Sequence, residues 1–315
     1  MLLVDYFQQW VELYKKGFVR KVTLDKYDIT RKSLIKICPD LRVEELTKTK
    51  YQWIINQYAE THAKQTVRDF HRQIAGCVVE LVDEGVLKIN PCKKAVIKGN
   101  KPSNRKEKYL SLHEVEKLIS KLNLNIPIKT GRRHLRSFRV IYELNYDWLI
   151  YLALKTGLRF GELLGLTKND FDFEELTISV NKVFDYKHTF QLENRAKTRS
   201  SLRTIAINQE LADIFKRLLT NYREDEQIFF IHGQRMFNST VNNRLNKLCK
   251  AAKITPISIH GLRHTHASIL LYKGISIHSI SKRLGHSEVS TTQDVYAHII
   301  DELQQKDNEL IRNVI

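Results

Sequence analysis

The stretch HGLRHTHASILLYKGISIHSISKRLGHSEVSTTQDVY, residues 260–296, decides the fold and the chemistry of this chain. It opens with His260 and Arg263, which are three positions apart and therefore share one face of a helix. It continues to Leu-Gly-His, ending at His286, and reaches Tyr296 ten residues later in a helix-compatible run. Groups that bind an anion, followed by a nucleophile, are the parts needed to hold and attack a phosphodiester.

The composition indicates a soluble globular protein with a polyanionic partner. The length of 315 residues predicts about two domains. Lys and Arg outnumber Asp and Glu by 52 to 35, for a net charge of +17, and this favours nucleic acid, although a membrane-surface protein can have a similar count. Apolar runs are all shorter than the ~20 residues of a membrane span. Asp5 and Gln8 interrupt the N-terminal apolar run too early for a signal peptide. We expect a cytoplasmic protein without a membrane partner.

The cysteines and histidines predict neither a metal site nor a cofactor. The cysteines are far apart and form no CxxC pair, so we expect reduced, mostly buried thiols. They are Cys38, Cys77, Cys92 and Cys249. His264 and His266 lie close to His260, but no Glu follows the first histidine and no carboxylate is nearby, as a metalloprotease site would require.

Residues 1–92 predict a small helical domain. Apolar residues recur at three and four positions between Val67 and Val82, with Thr66 placed as a cap and Gly85 as a terminator. The earlier helical segments are Val4–Tyr14, Thr23–Ile37 and Val43–Glu60. Residues 93–108 are rich in lysine and predict an interdomain linker, which is either a solvated tether or a segment that lies against phosphates.

Residues 109–315 predict a second domain that combines helices with a small antiparallel sheet. The chain as a whole is therefore expected to be mainly α with a small antiparallel β-sheet, an α+β fold. The predicted features are a capping box at Ser111–Glu114, helices at Trp148–Thr156 and Phe160–Leu166, strands at Leu176–Val180, Lys182–Phe190 and Leu202–Ile207, and helices after Gln209 that end with Asp301–Arg312.

An insertion at residues 123–146 interrupts this domain and predicts a loop or a hairpin. It carries a basic cluster formed by Arg132, Arg133, Arg136 and Arg139.

Arg159 is a candidate anion ligand between two apolar helices. Gly157 suits a sharp turn, so that Arg159 projects from the first turn of the next helix. An arginine in this position is also compatible with simple exposure or with an ion pair to Glu162. Tyr296 needs a base or a positive pocket to ionise, because its unperturbed pKa is about 10. It is equally compatible with a packing residue beside Val295.

Taken in order, the motifs TGLRxGELLxL, a hairpin lysine, HxLRHTHAS, LGH and the tyrosine resemble the tyrosine recombinase (phage integrase) family over about Ser111–Ile300. The integrases of mobile elements, such as phages and conjugative transposons, are the most similar members. The resemblance implies that the scissile phosphate is bound by Arg159, His260, Arg263 and His286, and that Tyr296 is the nucleophile.

The resemblance also implies that Lys197 protonates the leaving 5′ oxygen. Lys182, Lys187 and Arg199 lie near it in the sequence, and Lys197 is preferred for its place in KTxxSxRTI before the third strand. Glu162 and Asp170 match positions that we take to be structural.

The family's architecture implies a helical core-DNA-binding domain and a catalytic domain that form a clamp around double-stranded DNA. Attack by Tyr296 gives a 3′-phosphotyrosine and a free 5′-hydroxyl without ATP or a divalent metal. Four protomers exchange strands through a Holliday junction, and accessory DNA-bending or excision factors are further partners. Residues 301–315 fit a helix that docks on a neighbouring protomer, or one that packs on its own domain. We expect Tyr296 to act in its own pocket.

Three other functions stay open at this point. They are a recombinase that resolves chromosome dimers, a catalytically inactive DNA-binding regulator and a type IB topoisomerase. The insertion and the tyrosine spacing favour a mobile-element integrase, and competent residue types at the six catalytic positions argue against an inactive protein. Many integrases have an N-terminal arm-binding domain, so the chain is either truncated or works without arm sites.

Overall fold

The computed structural model describes residues 1–100, 109–125, 145–193, 202–229, 236–286, 288–290, 292–293 and 296, and the backbone of 130–134, 137–141 and 194. The chain divides into two compact units, Met1–Arg105 and Lys106–Ile315. Each unit has its own hydrophobic core. Residues 101–108 of the predicted linker, Lys197 and the predicted helix at 301–312 lie outside the described residues. Among the described helices, none is both long and apolar enough to cross a membrane.

The first unit is helical, as its periodicity predicts. Its helices are α1 (Leu3–Tyr14), α2 (Lys21–Ile37), α3 (Lys48–Ala59) and α4 (Lys64–Asp83), with a 3-10 turn at Val43–Glu45. The predicted cap at Thr66 is wrong, because α4 begins at Lys64 and Ala63 is its N-cap residue. Gly85 adopts the left-handed conformation just beyond the end of α4.

The core of this unit forms because α4 places its apolar residues on one buried face. Each fully buried residue of this size contributes roughly 1.5–3 kcal/mol relative to exposure. The buried residues of α4 are Val67, Phe70, Ile74, Cys77, Val78 and Leu81. The cysteine prediction is confirmed, since all four thiols are buried and free.

The first part of the predicted linker lies on the helices of this unit. The Gln52 amide exchanges hydrogen bonds of 2.9 and 3.0 Å with the backbone of Val96. The Asn100 backbone N–H donates to the His62 carbonyl at 2.9 Å. A Cβ at Gly99 would lie 2.6 Å from the Lys64 Cα, so this position requires glycine.

The second unit is mainly helical with small antiparallel sheets. The capping box at Ser111–Glu114 is confirmed at the start of α5. The elements are α5 (Leu112–Ile119), β1 (Thr130–His134), β2 (Ser137–Ile141), α6 (Tyr146–Thr156), α7 (Phe160–Gly165), β3 (Phe171–Asp172), β4 (Thr177–Val180), β5 (Lys182–Phe184), β6 (Leu192–Asn194), β7 (Arg203–Ala206), α8 (Gln209–Leu218), α9 (Asn238–Ala251), α10 (Ile259–Tyr272) and α11 (Ile277–Leu284), with a 3-10 turn at Lys168–Asp170.

The strands form three antiparallel sheets among the described residues, in the orders β1-β2, β3-β4-β7 and β5-β6. The predicted strand Lys182–Phe190 is too long, because β5 ends at Phe184. The Asp185 carboxylate accepts the backbone N–H groups of residues 187–189 at 3.0–3.2 Å and turns the chain there.

The helix α6 lies at the centre of this unit, and α10 packs against it. It ends at Gly157, whose φ of +69° is left-handed. A Cβ at Gly157 would lie 2.8 Å from His266 Cδ2 and 3.0 Å from Leu284 Cδ2. Close packing between α6, α10 and α11 therefore requires a residue without a side chain at position 157.

We predict that Gly157→Ala destabilises this unit more than Gly274→Ala does. Both glycines are left-handed, which costs alanine roughly 1–2 kcal/mol, but Gly274 has no atom within 4 Å of an added Cβ. Overpacking at Gly157 adds about 1–3 kcal/mol. Urea unfolding followed by Trp148 fluorescence, with Trp10 and Trp53 replaced by phenylalanine, measures the second unit. Equal losses in the two variants would contradict the close approach.

Candidate active site

The C-terminal end of α11 collects three guanidinium groups from distant parts of the chain. The carbonyls of residues 283–285 accept from Arg203 at 2.6 Å, from Arg263 at 2.6 Å and from Arg159 at 3.0 and 3.2 Å. Helix ends leave such carbonyls without intrahelical partners, and their partial negative charge favours cations. The helix end therefore fixes the positions of the arginines.

The buried carboxylate of Glu162 lies between two of these arginines. It is 3.0 Å from a terminal nitrogen of Arg159 and 2.8 Å from one of Arg203. It also accepts the Arg159 backbone N–H at 2.8 Å, and this hydrogen bond closes the start of α7. The Arg159 side chain is 32% exposed and that of Arg203 is 6% exposed. Arg159 can therefore reach an anion, whereas Arg203 supports the pocket from below.

Arg159 lies at the N-cap of α7, one residue before the predicted first turn. The ion pair with Glu162, considered above as an alternative to anion binding, is present alongside the exposed part of the guanidinium. Pairing and anion binding are therefore compatible at this position.

Arg263 is buried on α10 and joins the ends of two other helices. Its guanidinium donates to the Gly157 carbonyl at 2.9 Å, beyond α6, as well as to the end of α11. Burial and the neighbouring Arg159 lower the pKa of Arg263 to about 9, so it stays charged at neutral pH. His260 is exposed one turn earlier on the same helix.

His286 follows the end of α11 and is half-buried beside the arginines. Its Nδ1 lies 2.7 Å from the Thr292 hydroxyl. Burial, then the charges of Arg263 and Arg159, lower the pKa of His286 to about 4. The ring is neutral at pH 7, and if Nδ1 accepts from Thr292, the proton lies on Nε2. That N–H can donate to an anion.

Tyr296 is 1% exposed and packs between α10 and α11. Its hydroxyl is 2.9 Å from Nδ1 of His264. Burial raises the pKa of Tyr296, and the charge of Arg263 opposes this in part. The structure therefore holds the phenol protonated and hydrogen-bonded to a histidine.

His266 is a buried link between helices. Its Nδ1 lies 3.0 Å from the Leu154 carbonyl, and its Nε2 accepts from Arg283 at 3.0 Å. Burial, followed by the charge of Arg283, lowers the pKa of His266 to about 3. His264 and His266 both lie on α10. Within the described part of the chain, no three His, Cys, Asp or Glu side chains are grouped to hold a metal ion.

The structure locates two of the lysines considered for the hairpin, Lys182 and Lys187, and Lys187 is exposed. The Lys182 ammonium is 2.8 Å from the buried Asp170 carboxylate and 2.9 Å from the Thr167 hydroxyl. It therefore holds β5 against the turn before β3. Lys197 and Arg199 lie outside the described residues.

Arg203 and His264 were not predicted as site residues. A signal for Arg203 exists in the sequence, since it alternates with Ile205 on β7 and with Ile207 just after that strand, and both isoleucines are buried. An arginine on the buried face of a strand requires a buried partner, here Glu162. The contact between His264 and Tyr296 has no comparable signal, because it depends on how α10 meets the segment after α11.

Comparisons with known proteins identify the family of this chain. Residues 108–302 match the family model described as the phage integrase family. The chain belongs to the phage integrase family. It is 28% identical to the ICEBs1 integrase of Bacillus subtilis over 71% of this chain and 59% of that protein. It is 34% identical to the integrase of Staphylococcus phage L54a over 50% of this chain and 49% of the phage protein.

A third relative covers more of the chain. This protein is 26% identical to a "Tyrosine recombinase XerC-like" protein of Caldanaerobacter subterraneus over 97% of its length and 81% of the relative. The chain thus spans about three fifths of the ICEBs1 integrase and half of the phage integrase.

Two solved structures share the fold. The Tn1549 transposon integrase in complex with transposon right end DNA has a TM-score of 0.75 at 18% identity, covering 99% of this chain and 100% of that one. A lambda integrase dimer bound to a COC′ core site has a TM-score of 0.63 at 17% identity, covering 94% and 95%.

We predict that His266→Gln makes the second unit less sensitive to acid. Because the pKa of His266 in the folded protein is lowered to about 3, the unfolded chain binds its proton first as pH falls below the ordinary histidine pKa of 6.5. Between pH 6.5 and pH 3, protonation of this residue in the unfolded chain therefore lowers the free energy of unfolding of wild type by up to about 1.4 kcal/mol per pH unit.

Urea unfolding followed by Trp148 fluorescence at pH 7, 6 and 5 tests this. The stability difference between wild type and His266→Gln should shrink as pH falls. His278→Gln, at an exposed position of α11, is the control and should keep a constant difference. A stability difference between wild type and His266→Gln that does not change with pH would show that His266 is not held neutral.

Proposed function

We propose that this protein is a site-specific DNA recombinase that integrates and excises a mobile element. The observation that carries the proposal is the gathering of Arg159, Arg203 and Arg263 at the end of α11, directly before His286 and close to Tyr296. Such a pocket suits a phosphate in a DNA backbone.

In the proposed complex, the scissile phosphate lies against Arg159, His260, Arg263 and His286. Guanidinium groups contact two phosphate oxygens at once and keep their charge as negative charge develops on the phosphorus oxygens. The neutral His286 donates from Nε2. Glu162 and Arg203 hold Arg159 in place without touching the phosphate.

Cleavage requires Tyr296 to leave its buried position. The phenol breaks its hydrogen bond with His264, loses its proton to a base at the site and attacks phosphorus. The P–O bond to the 5′ oxygen breaks, and Lys197 gives that oxygen a proton. The products are a 3′-phosphotyrosine and a free 5′-hydroxyl. A 5′-hydroxyl from a partner duplex reverses the step, so neither ATP nor a divalent metal is needed.

Strand exchange between two duplexes requires four protomers and passes through a Holliday junction. A groove of about 870 Å³ beside β7 and α11 is suited to a neighbour's C-terminal residues 301–315. Its apolar lining includes Ile205, Leu270, Ile275 and Ile280. The proposed location is the cytoplasm, where accessory DNA-bending or excision factors are further partners.

A chromosome-dimer-resolving recombinase is the second candidate, supported by the XerC-like relative that covers 97% of this chain. The mobile-element reading is preferred because the ICEBs1 and phage L54a proteins are integrases. The two functions are separated by an assay of recombination between the two ends of a mobile element that adjoins the gene of this protein. A dimer-resolving enzyme acts on a chromosomal site instead.

We predict that Tyr296→Phe abolishes covalent capture of DNA while binding remains. The probe is a nicked suicide duplex carrying the target site, and the adduct is measured on a denaturing gel. Loss of a nucleophile lowers such steps by roughly a thousandfold or more. Tyr151→Phe, another buried tyrosine in the second unit, is the control and should form the adduct normally.

Three results would contradict the proposal or its assignment of the nucleophile. Tyr296→Phe forming as much adduct as wild type would remove Tyr296 from the nucleophile role. Wild type that binds the duplex but forms no adduct would identify a DNA-binding regulator. Relaxation of supercoiled DNA without site preference would instead identify a topoisomerase.

We predict that a 5′-bridging phosphorothiolate substrate rescues Lys197→Ala but not Lys182→Ala. A thiolate leaves without a proton, so the rate of cleavage no longer depends on a general acid. Lys182 pairs with buried Asp170, so its removal acts on the fold and the defect persists with sulfur. The measured quantity is the ratio of adduct-formation rates on the sulfur and oxygen substrates. Rescue of Lys182→Ala alone would reassign the acid.

A further inference from the structure

The two ends of the insertion at residues 123–146 lie next to each other in the second unit. The Asn145 side chain donates to the Asn123 carbonyl at 3.0 Å and also caps the start of α6. The Trp148 indole N–H donates to the Asn125 carbonyl at 3.2 Å. The two ends of the insertion are therefore fastened to each other, and the fold does not need the residues between them to connect α5 with α6.

An ion pair with a buried carboxylate fixes these ends to the core. The Asp147 carboxylate, 3% exposed, accepts the Asn123 backbone N–H at 2.8 Å. It also binds Arg244 of α9 through two hydrogen bonds of 2.6 and 2.7 Å. Two-point binding of this kind sets orientation as well as distance. The base of the insertion is thus held by α6 and α9 together.

Between the fastened ends, the backbone forms the two-stranded ribbon β1-β2. Its register places Arg132 directly opposite Arg139 and His134 opposite Ser137, on one face of the ribbon. The other face carries Arg133 opposite Phe138 and Gly131 opposite Val140. Residues 126–141 contain five Lys and Arg residues and no Asp or Glu.

This placement is unfavourable for an isolated ribbon. Like charges directly opposite each other destabilise an antiparallel pair, and a two-stranded ribbon is at best marginally stable in water. An anion bound at the cationic face removes the repulsion. Duplex DNA suits such a face, because its phosphates neutralise Lys and Arg and its major groove admits a two-stranded ribbon.

We propose that the ribbon β1-β2 is a DNA-binding arm of the second unit, which grips the phosphate backbone through Arg132 and Arg139. The inference rests on the proposed DNA partner but does not depend on strand cleavage. Because contacts to phosphates carry no sequence information, the arm adds affinity rather than site choice.

The test uses Tyr296→Phe protein, which separates binding from cleavage, and a DNA duplex of arbitrary sequence. The dissociation constant is measured over a range of salt concentrations. Each phosphate contact adds about 0.9 to the slope of log affinity against log salt. Arg132→Gln with Arg139→Gln should lower the slope by about 2. Lys216→Gln with Arg223→Gln, two exposed cations paired with carboxylates, should leave it unchanged.

A second variant replaces residues 126–144 with two glycines. It should show at least the same loss of slope, and Trp148 fluorescence should show that the unit still folds. If this variant does not fold, the paired glutamine substitutions decide. An unchanged slope with the paired glutamine substitutions overturns the proposed DNA-binding arm. If the slope is unchanged but these substitutions abolish the binding of poly-glutamate, the insertion binds an acidic protein partner instead. Tyr296→Phe protein that binds no duplex at all would instead refute the proposed function.

Discussion

The end of α11 is the constraint on which the candidate site depends. An α-helix leaves its last carbonyls without partners, and here Gly285 turns the chain away in the left-handed conformation. The guanidinium groups of Arg159, Arg203 and Arg263 donate hydrogen bonds to those carbonyls. They come from the start of α7, from a strand and from α10, so three distant segments meet at one helix end. Backbone geometry, rather than side-chain pairing alone, sets their spacing.

Bringing these cations together creates a pocket that favours an anion. Glu162 offsets part of the charge, and its burial makes it a fixed partner rather than a screened one. The remaining positive field is visible in the neighbouring groups, since it contributes to lowering the pKa values of Arg263 and His286. A phosphate relieves this repulsion. The pocket is therefore assembled in advance, with little reorganisation left for the moment of reaction.

Sequence reasoning succeeded where a period or a local motif carries the information. The helix α4 and the capping box at Ser111 follow from spacing within a few residues. Arg203 was missed because its role depends on a carboxylate about forty residues away in the chain. The length of β5 was misjudged because a single side chain, Asp185, ends the strand by binding three backbone N–H groups. Long-range partners and side-chain turns leave little periodic trace.

The position of Tyr296, the proposed nucleophile, links this residue to the arginine pocket. Leu284 packs against Tyr296 in the small core between α10 and α11, and its carbonyl accepts from both Arg159 and Arg263. An anion that draws these guanidinium groups toward itself therefore acts on the residue that helps to bury the phenol. The hydroxyl also holds a hydrogen bond with His264, so it stays neutral until that packing changes. In the proposed mechanism, anion binding and release of the tyrosine are thus connected through one leucine.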